Sequence, residues 1–208
     1  MNQEKLLATL QQHIPAPAVE YCFNLWLKYK FVFKLRKARI TKVGDFTFRT
    51  GQTPQITVNA DLHSYSFLIT YVHEVAHLEV HSVFGHRVEA HGDHWKKTFQ
   101  QLMVPVLSDE IFPPALLLVL KRHMANPKAS SFSDSELTAA LRKFDRNQAT
   151  VILLSQLPEG SVFGLHGRWF KKGKQKRTRV MCREVNTKRD YLVPIDAPVS
   201  GAQLSLTM

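Results

Sequence analysis

Cysteine is almost missing from this chain. Cys22 and Cys182 are the only two in 208 residues, lie 160 positions apart and form no C-x-x-C pair. A disulfide framework and a cysteine-rich zinc site are both excluded, so any metal must rest on imidazole and carboxylate. Long apolar runs are missing too: nothing approaches the roughly 20 residues that a membrane-spanning helix needs. The opening "MNQEKLLATLQQHIPAP" has no basic segment followed by an apolar core, so the expectation is a cytoplasmic protein with no membrane partner. Acidic residues are scarce, 17 against 28 Lys and Arg, giving a formal net charge of +11. That imbalance speaks to partners and solubility rather than to fold.

What is present suffices for one medium domain and a small second one, with an ordinary 44% hydrophobic content. "NQEKLLATLQQHI" and "PAVEYCFNLWLKYK" carry helical spacing, the second with Pro17 in its first turn. The period then changes to two. "FVFKLRKARIT", "GDFTFRTG" around a Gly-Asp turn, and "PQITVNA" predict three strands of one small sheet. "DLHSYSFLITYVHEVAHLEVHS" returns to the helical period and is apolar on much of its circumference, as a helix buried on that sheet would be, with Gly85 at its end. "GDHWKKTFQQLMVPVL" predicts another helix, N-capped by Asp93, with Trp95, Phe99 and Leu102 on one face. "PPALLLVLKRHMA" adds a short one. The fold class expected is α+β, with a first domain over 1–125. A linker over 126–154 holds a short helix behind the capping-box pair Ser133 and Glu136. Alternating runs between Gly- and Lys-rich turns predict a small antiparallel β module over 155–200.

The stretch from His73 to Trp95 holds six of the ten histidines. His73-Glu74-Val75-Ala76-His77 is an H-E-x-x-H motif on the predicted buried helix. Four helical residues advance about 6 Å and rotate about 400°, so both imidazoles leave one face and can close on one ion at about 2.0–2.1 Å. Glu74 lies about 100° around, outside the ligand set but within reach of a water on the ion. The pattern suits metal-assisted hydrolysis, in which zinc acidifies the water to about pKa 7 and the glutamate takes its proton. A third histidine ligand must come from His81, His86, His91 or His94. His81 is excluded on a regular helix, since it stands about 12 Å from His73 along the axis. A metzincin-type third histidine would fall on Val83. His91 is the best candidate, because Gly92 lets the backbone return closely after a loop of about a dozen residues. His94 competes, with Glu79, Glu89 and Asp93 as carboxylate alternatives.

"VGDF", "ITVNADL" and "ITYVHEVAHLEVHSVFGHRVEAHGDHW" together resemble the SprT-like family, minimal zincin metalloproteases that include the Spartan-type DNA–protein crosslink proteases. The family pattern is H-E-x-x-H followed by H-G-x-x-[FW], matched here by His73, Glu74, His77 and then His91-Gly92-Asp93-His94-Trp95. The resemblance covers roughly 1–125 and implies a zincin-like fold, one Zn2+ held by His73, His77 and His91, and Glu74 as catalytic base. It also implies protein substrates associated with DNA. The chain departs downstream, where many members carry a zinc ribbon of C-x-x-C pairs and this one has only Cys182. A module over 155–200 must therefore be held by its own core, without zinc.

Between Arg168 and Arg189 ten Lys or Arg face one acidic residue, Glu184. Lys171, Lys172, Lys174, Lys176, Arg177 and Arg179 are interleaved with Phe163, Trp169, Phe170 and Tyr191. Cations suit phosphates, and exposed aromatic faces suit single-stranded bases, so DNA is the expected partner of this segment. A second basic run, Lys28 to Lys42, reads as the outward side of a strand. The expected activity is that of a zinc metallopeptidase acting on DNA-associated or DNA-crosslinked proteins. The rival expectation is a nucleic-acid-binding protein whose zinc site is structural, closed by His94 or Asp93. Tyr65, Arg87 and His94 are the candidates for stabilising an oxyanion.

Overall fold

A computed structural model of the chain describes residues 2–39, 42–129, 134–145, 152–165 and 167–203. Within them the chain is α+β, with six α-helices and nine strands in two separate sheets, and it divides into two units, Met1–Arg146 and Asn147–Met208. No helix among the described residues is long and apolar enough to cross a membrane.

In the first unit α1 (Gln3–His13) starts on Asn2, whose side chain accepts from the Lys5 N–H, and it ends before Pro15. Pro17 sits in a 3-10 turn, Ala16–Ala18, one turn ahead of α2 (Val19–Tyr29) rather than inside it. The predicted strands are β1 (Val32–Arg36), β2 (Gly44–Thr47) and β3 (Gln55–Asn59), in the order β1-β3-β2, with β1 parallel and β2 antiparallel to β3. Gly44 and Asp45 open β2 and do not form the expected turn. The row Phe33, Ile56 and Phe46 packs into the core, and the next row, Lys34, Thr57 and Asp45, takes the opposite face of the pleat.

α3 (Ser64–Phe84) has eleven buried side chains, from Phe67 to Val80, which explains why its sequence is apolar nearly all round. It starts on His63, which accepts from the Ser66 N–H, and stops at Gly85, where φ is 64°. α4 (Asp93–Met103) buries Trp95, Phe99 and Leu102, as predicted, but Gly92 holds the N-cap position and Asp93 is the first helical residue. α5 (Pro114–Ala125) and α6 (Ser135–Arg142) pack together.

The expected linker needs correction. Asp134 caps α6 by accepting from the Leu137 N–H and also meets the His123 ring at 2.9 Å, while Leu137 and Leu141 join the core of α1–α5. Their burial fixes α6 as part of the first unit, so the division falls at Arg146 rather than at residue 125. The predicted cap Ser133 lies outside the described residues.

The second unit is one antiparallel sheet of β4 (Ile152–Leu153), β5 (Val162–Leu165), β6 (Arg168–Gln175), β7 (Arg179–Glu184), β8 (Asp190–Pro194) and β9 (Pro198–Gln203), in the order β4-β9-β5-β6-β7-β8. Four of these strands are the predicted runs, and β4 with β9 extends them. Leu154, Leu157, Phe163, Phe170, Val180, Cys182, Val193 and Val199 form its core, with Cys182 buried among them. The unit is therefore held by its own apolar core, as expected of a segment without cysteine pairs.

Candidate metal centre

α3 places His73 and His77 one turn apart, and the turn before α4 returns His91 to them. The Nε2 atoms stand 3.1 Å apart for His73 and His77, 3.0 Å for His77 and His91, and 3.4 Å for His91 and His73. Three donors on one tetrahedral ion at about 2.0–2.1 Å would lie about 3.3 Å apart. The triangle has a chemical consequence. Each Nε2 presents either a proton or a lone pair, so at least one of the three pairings sets like against like unless a cation sits between them. Among the described residues this is the one group of three or more His, Cys, Asp or Glu side chains whose geometry could hold a metal ion.

Burial holds all three imidazoles in the neutral, ligating form. It drives His73 well below its ordinary pKa, aided by His77, His91 and His123, and it takes His77 to about 4, aided by His91. Burial also lowers His91, with Glu89 opposing. Metal binding requires deprotonated ligands, so these shifts favour an ion over protons near neutrality.

Trp95 is the wall of the centre and was not singled out for that role by the sequence. Its fully buried ring lies 4.7, 5.4 and 4.8 Å from those of His73, His77 and His91, and Phe99 stacks behind it at 5.0 Å. The available signal was its spacing: Trp95 follows His91 by four residues, with Gly92 starting the helix between them.

Glu74 is 7% exposed and faces the edge strand β2. A Cβ on Gly44 would stand 2.5 Å from Glu74 Oε1 and 2.6 Å from Thr70 Cγ2, so only glycine lets β2 approach α3 this closely. Burial, then the neighbouring Asp45, raises the carboxyl to about 8, opposed by the Phe46 N–H that donates to it and by Arg39 and Lys42. Glu74 is thus an acid–base group poised near neutrality.

The remaining histidines and oxyanion candidates lie outside the triad. His81 faces His86 and Phe48, and the His94 ring packs on Phe84 at 4.2 Å. Tyr65 packs against Phe112 and Phe144, and Arg87 is exposed in the turn after α3.

In the second unit Lys171, Lys174, Lys176, Arg177 and Arg179 are exposed on the β6–β7 hairpin. Lys172 is not among them. It is 5% exposed, and its Nζ donates to the carbonyls of Leu154, at 2.8 Å, and Leu157. Strand alternation explains the correction: Phe170 points inward, and so does the residue two further on. Phe163 and Phe170 stack in the core at 5.9 Å, leaving Trp169, 45% exposed, as the outward aromatic, while Tyr191 sits under the Arg168 guanidinium at 5.0 Å. In the first unit the basic run is only partly strand: Lys34 and Arg36 face outward on β1 and line a groove of about 670 Å³ with Arg49 and Gln52, whereas Lys28 belongs to α2 and Lys30 caps it.

Comparisons of the chain with protein-family models, curated proteins and solved structures each found no match.

Proposed function

We propose that the chain is a zincin-like, zinc-dependent metallopeptidase of the SprT-like type that acts on DNA-associated or DNA-crosslinked proteins. The observation that carries this reading is the convergence of His73, His77 and His91 beside a buried Glu74 whose proton affinity is raised. Zinc is one of the ions that imidazole ligands suit, and three protein ligands match a catalytic zinc site, whereas structural sites are closed by four. When bound, the ion supplies Lewis-acid polarisation of an amide carbonyl and acidification of a water. Glu74 accepts the water's proton and returns it to the leaving amine. The Phe46 N–H orients the carboxylate, the close passage of Gly44 confines it, and Trp95 with Phe99 closes the inner side. The hairpin cations from Lys171 to Arg179, with Lys172 excepted, supply sequence-independent affinity for phosphate.

The test is proteolysis of a DNA-binding protein by the purified zinc-loaded chain, with and without single-stranded DNA. Glu74→Gln should lower the rate by about 10²–10⁴-fold, the usual contribution of a general base, while zinc stays bound. Cleavage that needs both DNA and Glu74 supports the whole reading. Absence of cleavage, with one zinc and tight DNA binding intact, would replace it by a nucleic-acid-binding protein with a structural zinc.

A further inference from the structure

We propose that His81 and His86 form a second metal site on the first unit, open to solvent and selective for late first-row divalent ions. Of the six histidines between His73 and Trp95, three form the triad and His94 rests on Phe84. The other two meet each other. Their Nε2 atoms are 3.5 Å apart, with ring centroids at 4.7 Å and planes at 75°. That is the separation of two donors on one ion bound at about 2.0–2.1 Å.

The pair is brought together by the end of α3 and by two aromatic side chains. Gly85 sits between them with φ at 64°, and its N–H bonds the His81 carbonyl at 2.8 Å. This left-handed residue reverses the chain as α3 ends, so that His86 folds back over His81, and a side chain at position 85 would be strained. The His81 ring also packs on Phe48 at 4.3 Å and Phe46 at 5.6 Å, and His86 reaches Phe48 at 6.4 Å. Packed against Phe48 and Phe46, the His81 ring has less rotamer freedom left to lose when an ion binds.

A hydrogen bond between the rings is the competing account of their approach. At 3.5 Å it lies beyond the usual range for such a bond. His86 is exposed and His81 partly so, leaving water free to complete a coordination shell. Imidazole nitrogens suit zinc, nickel and copper, with copper bound most tightly in the general order of divalent affinities. Two protein ligands make this site weaker than the triad. It is also a different set of donors, because His81 lies one turn beyond His77 and two beyond His73 on α3, about 6 and 12 Å by helical rise, and its ring meets Phe46, Phe48 and His86.

Equilibrium dialysis of the full chain against Zn2+ tests the proposal, with bound metal read by mass spectrometry. The wild type should take up one ion at low free zinc and a second at higher free zinc. His81→Ala and His86→Asn should each raise the half-saturating concentration of the second ion by roughly tenfold or more, since even an outer-sphere partner is worth 10–100-fold. The double variant should lose no more than either single one, which is the mark of a chelate. His91→Ala should lose the first ion and keep the second. A single ion in the wild type at all concentrations, or a second ion that survives both single substitutions, would overturn the site and leave a hydrogen-bonded pair only. Loss of both ions in a correctly folded His91→Ala would overturn its independence. His86 is exposed, so its variant should melt like the wild type without metal.

Discussion

Both units bury an ionisable side chain, Glu74 on α3 in the first and Lys172 on β6 in the second, and they treat it differently. In the second, the Lys172 ammonium has two carbonyl acceptors, and the buried Glu184 accepts a hydrogen bond from the Thr187 hydroxyl and lies 3.5 Å from Arg168. In the first, the Glu74 carboxylate accepts from one backbone N–H, has Asp45 for a neighbour and binds its proton up to about pH 8. A buried charge matched by partners ties a small sheet together, as the module needs with eight core residues among those described. A buried carboxyl left partly unmatched is held at a cost in stability, which is the arrangement expected of a group reserved for proton transfer.

The largest expected effect is on the triad. His91→Ala should drop bound metal from one ion at the centre to none, measured by mass spectrometry on chain dialysed at low free zinc. Stoichiometric zinc retained there would break the ligand assignment. Gly44→Ala should follow, because the added methyl has to displace Glu74 or Thr70. Overpacking of this kind destabilises by about 1–3 kcal/mol, and peptidase activity should fall while zinc content holds. If activity and melting temperature are both unchanged, β2 does not confine Glu74 in the way described.

Lys172→Met should act on the other unit alone. Leaving the Leu154 and Leu157 carbonyls without a donor costs about 1–3 kcal/mol, read from denaturant unfolding of the second unit, with metal content and hydrolysis rate unmoved. A matching fall in DNA affinity would return Lys172 to the surface cations.

The pH dependence of Glu74 gives a smaller signal with a definite sign. Its folded value, about 8, stands above the ordinary 4.5, so folding retains a proton that the unfolded chain releases. The metal-free protein should therefore lose stability as pH rises through that window. Glu74→Gln has nothing to ionise there, so its melting temperature should gain on the wild type from pH 5 to 8 and then level off. The histidine shifts act in the opposite direction, removing stability as pH falls below the ordinary 6.5, but both proteins share them. A difference flat with pH would mean that Glu74 is already ionised when buried. The smallest expected effect is on the hairpin. Replacing Lys171, Lys174, Lys176, Arg177 and Arg179 by Ala should flatten the salt dependence of single-stranded DNA binding by about 0.7 for each phosphate no longer neutralised. An unchanged slope would remove the module from the proposed function.

Much of the fold was legible because its signals are local. The helical period of "ITYVHEVAHLEV", the alternation in "FVFKL" and the stop at Gly85 each depend on neighbours within a turn or a pleat. The errors fell where distant segments decide. Gly44-Asp45 has the composition of a turn and became a strand because Gly44 fits against α3. A polar, Ser-containing stretch hid the fact that Leu137 and Leu141 would find the core formed by α1–α5. Lys172 sat in a cationic cluster, and only its phase relative to Phe170 marked it as inward.

The sequence by itself determined that His73 and His77 share a face and that Glu74 does not, because 3.6 residues per turn leave no alternative once the segment is helical. It also determined that a cysteine-rich zinc site cannot form. The tertiary structure decided that His91 rather than His94 completes the triad, that Trp95 backs it and that burial raises the proton affinity of Glu74. Those outcomes depend on how a turn returns and on how closely an edge strand approaches, and both are set by packing between residues far apart in the chain.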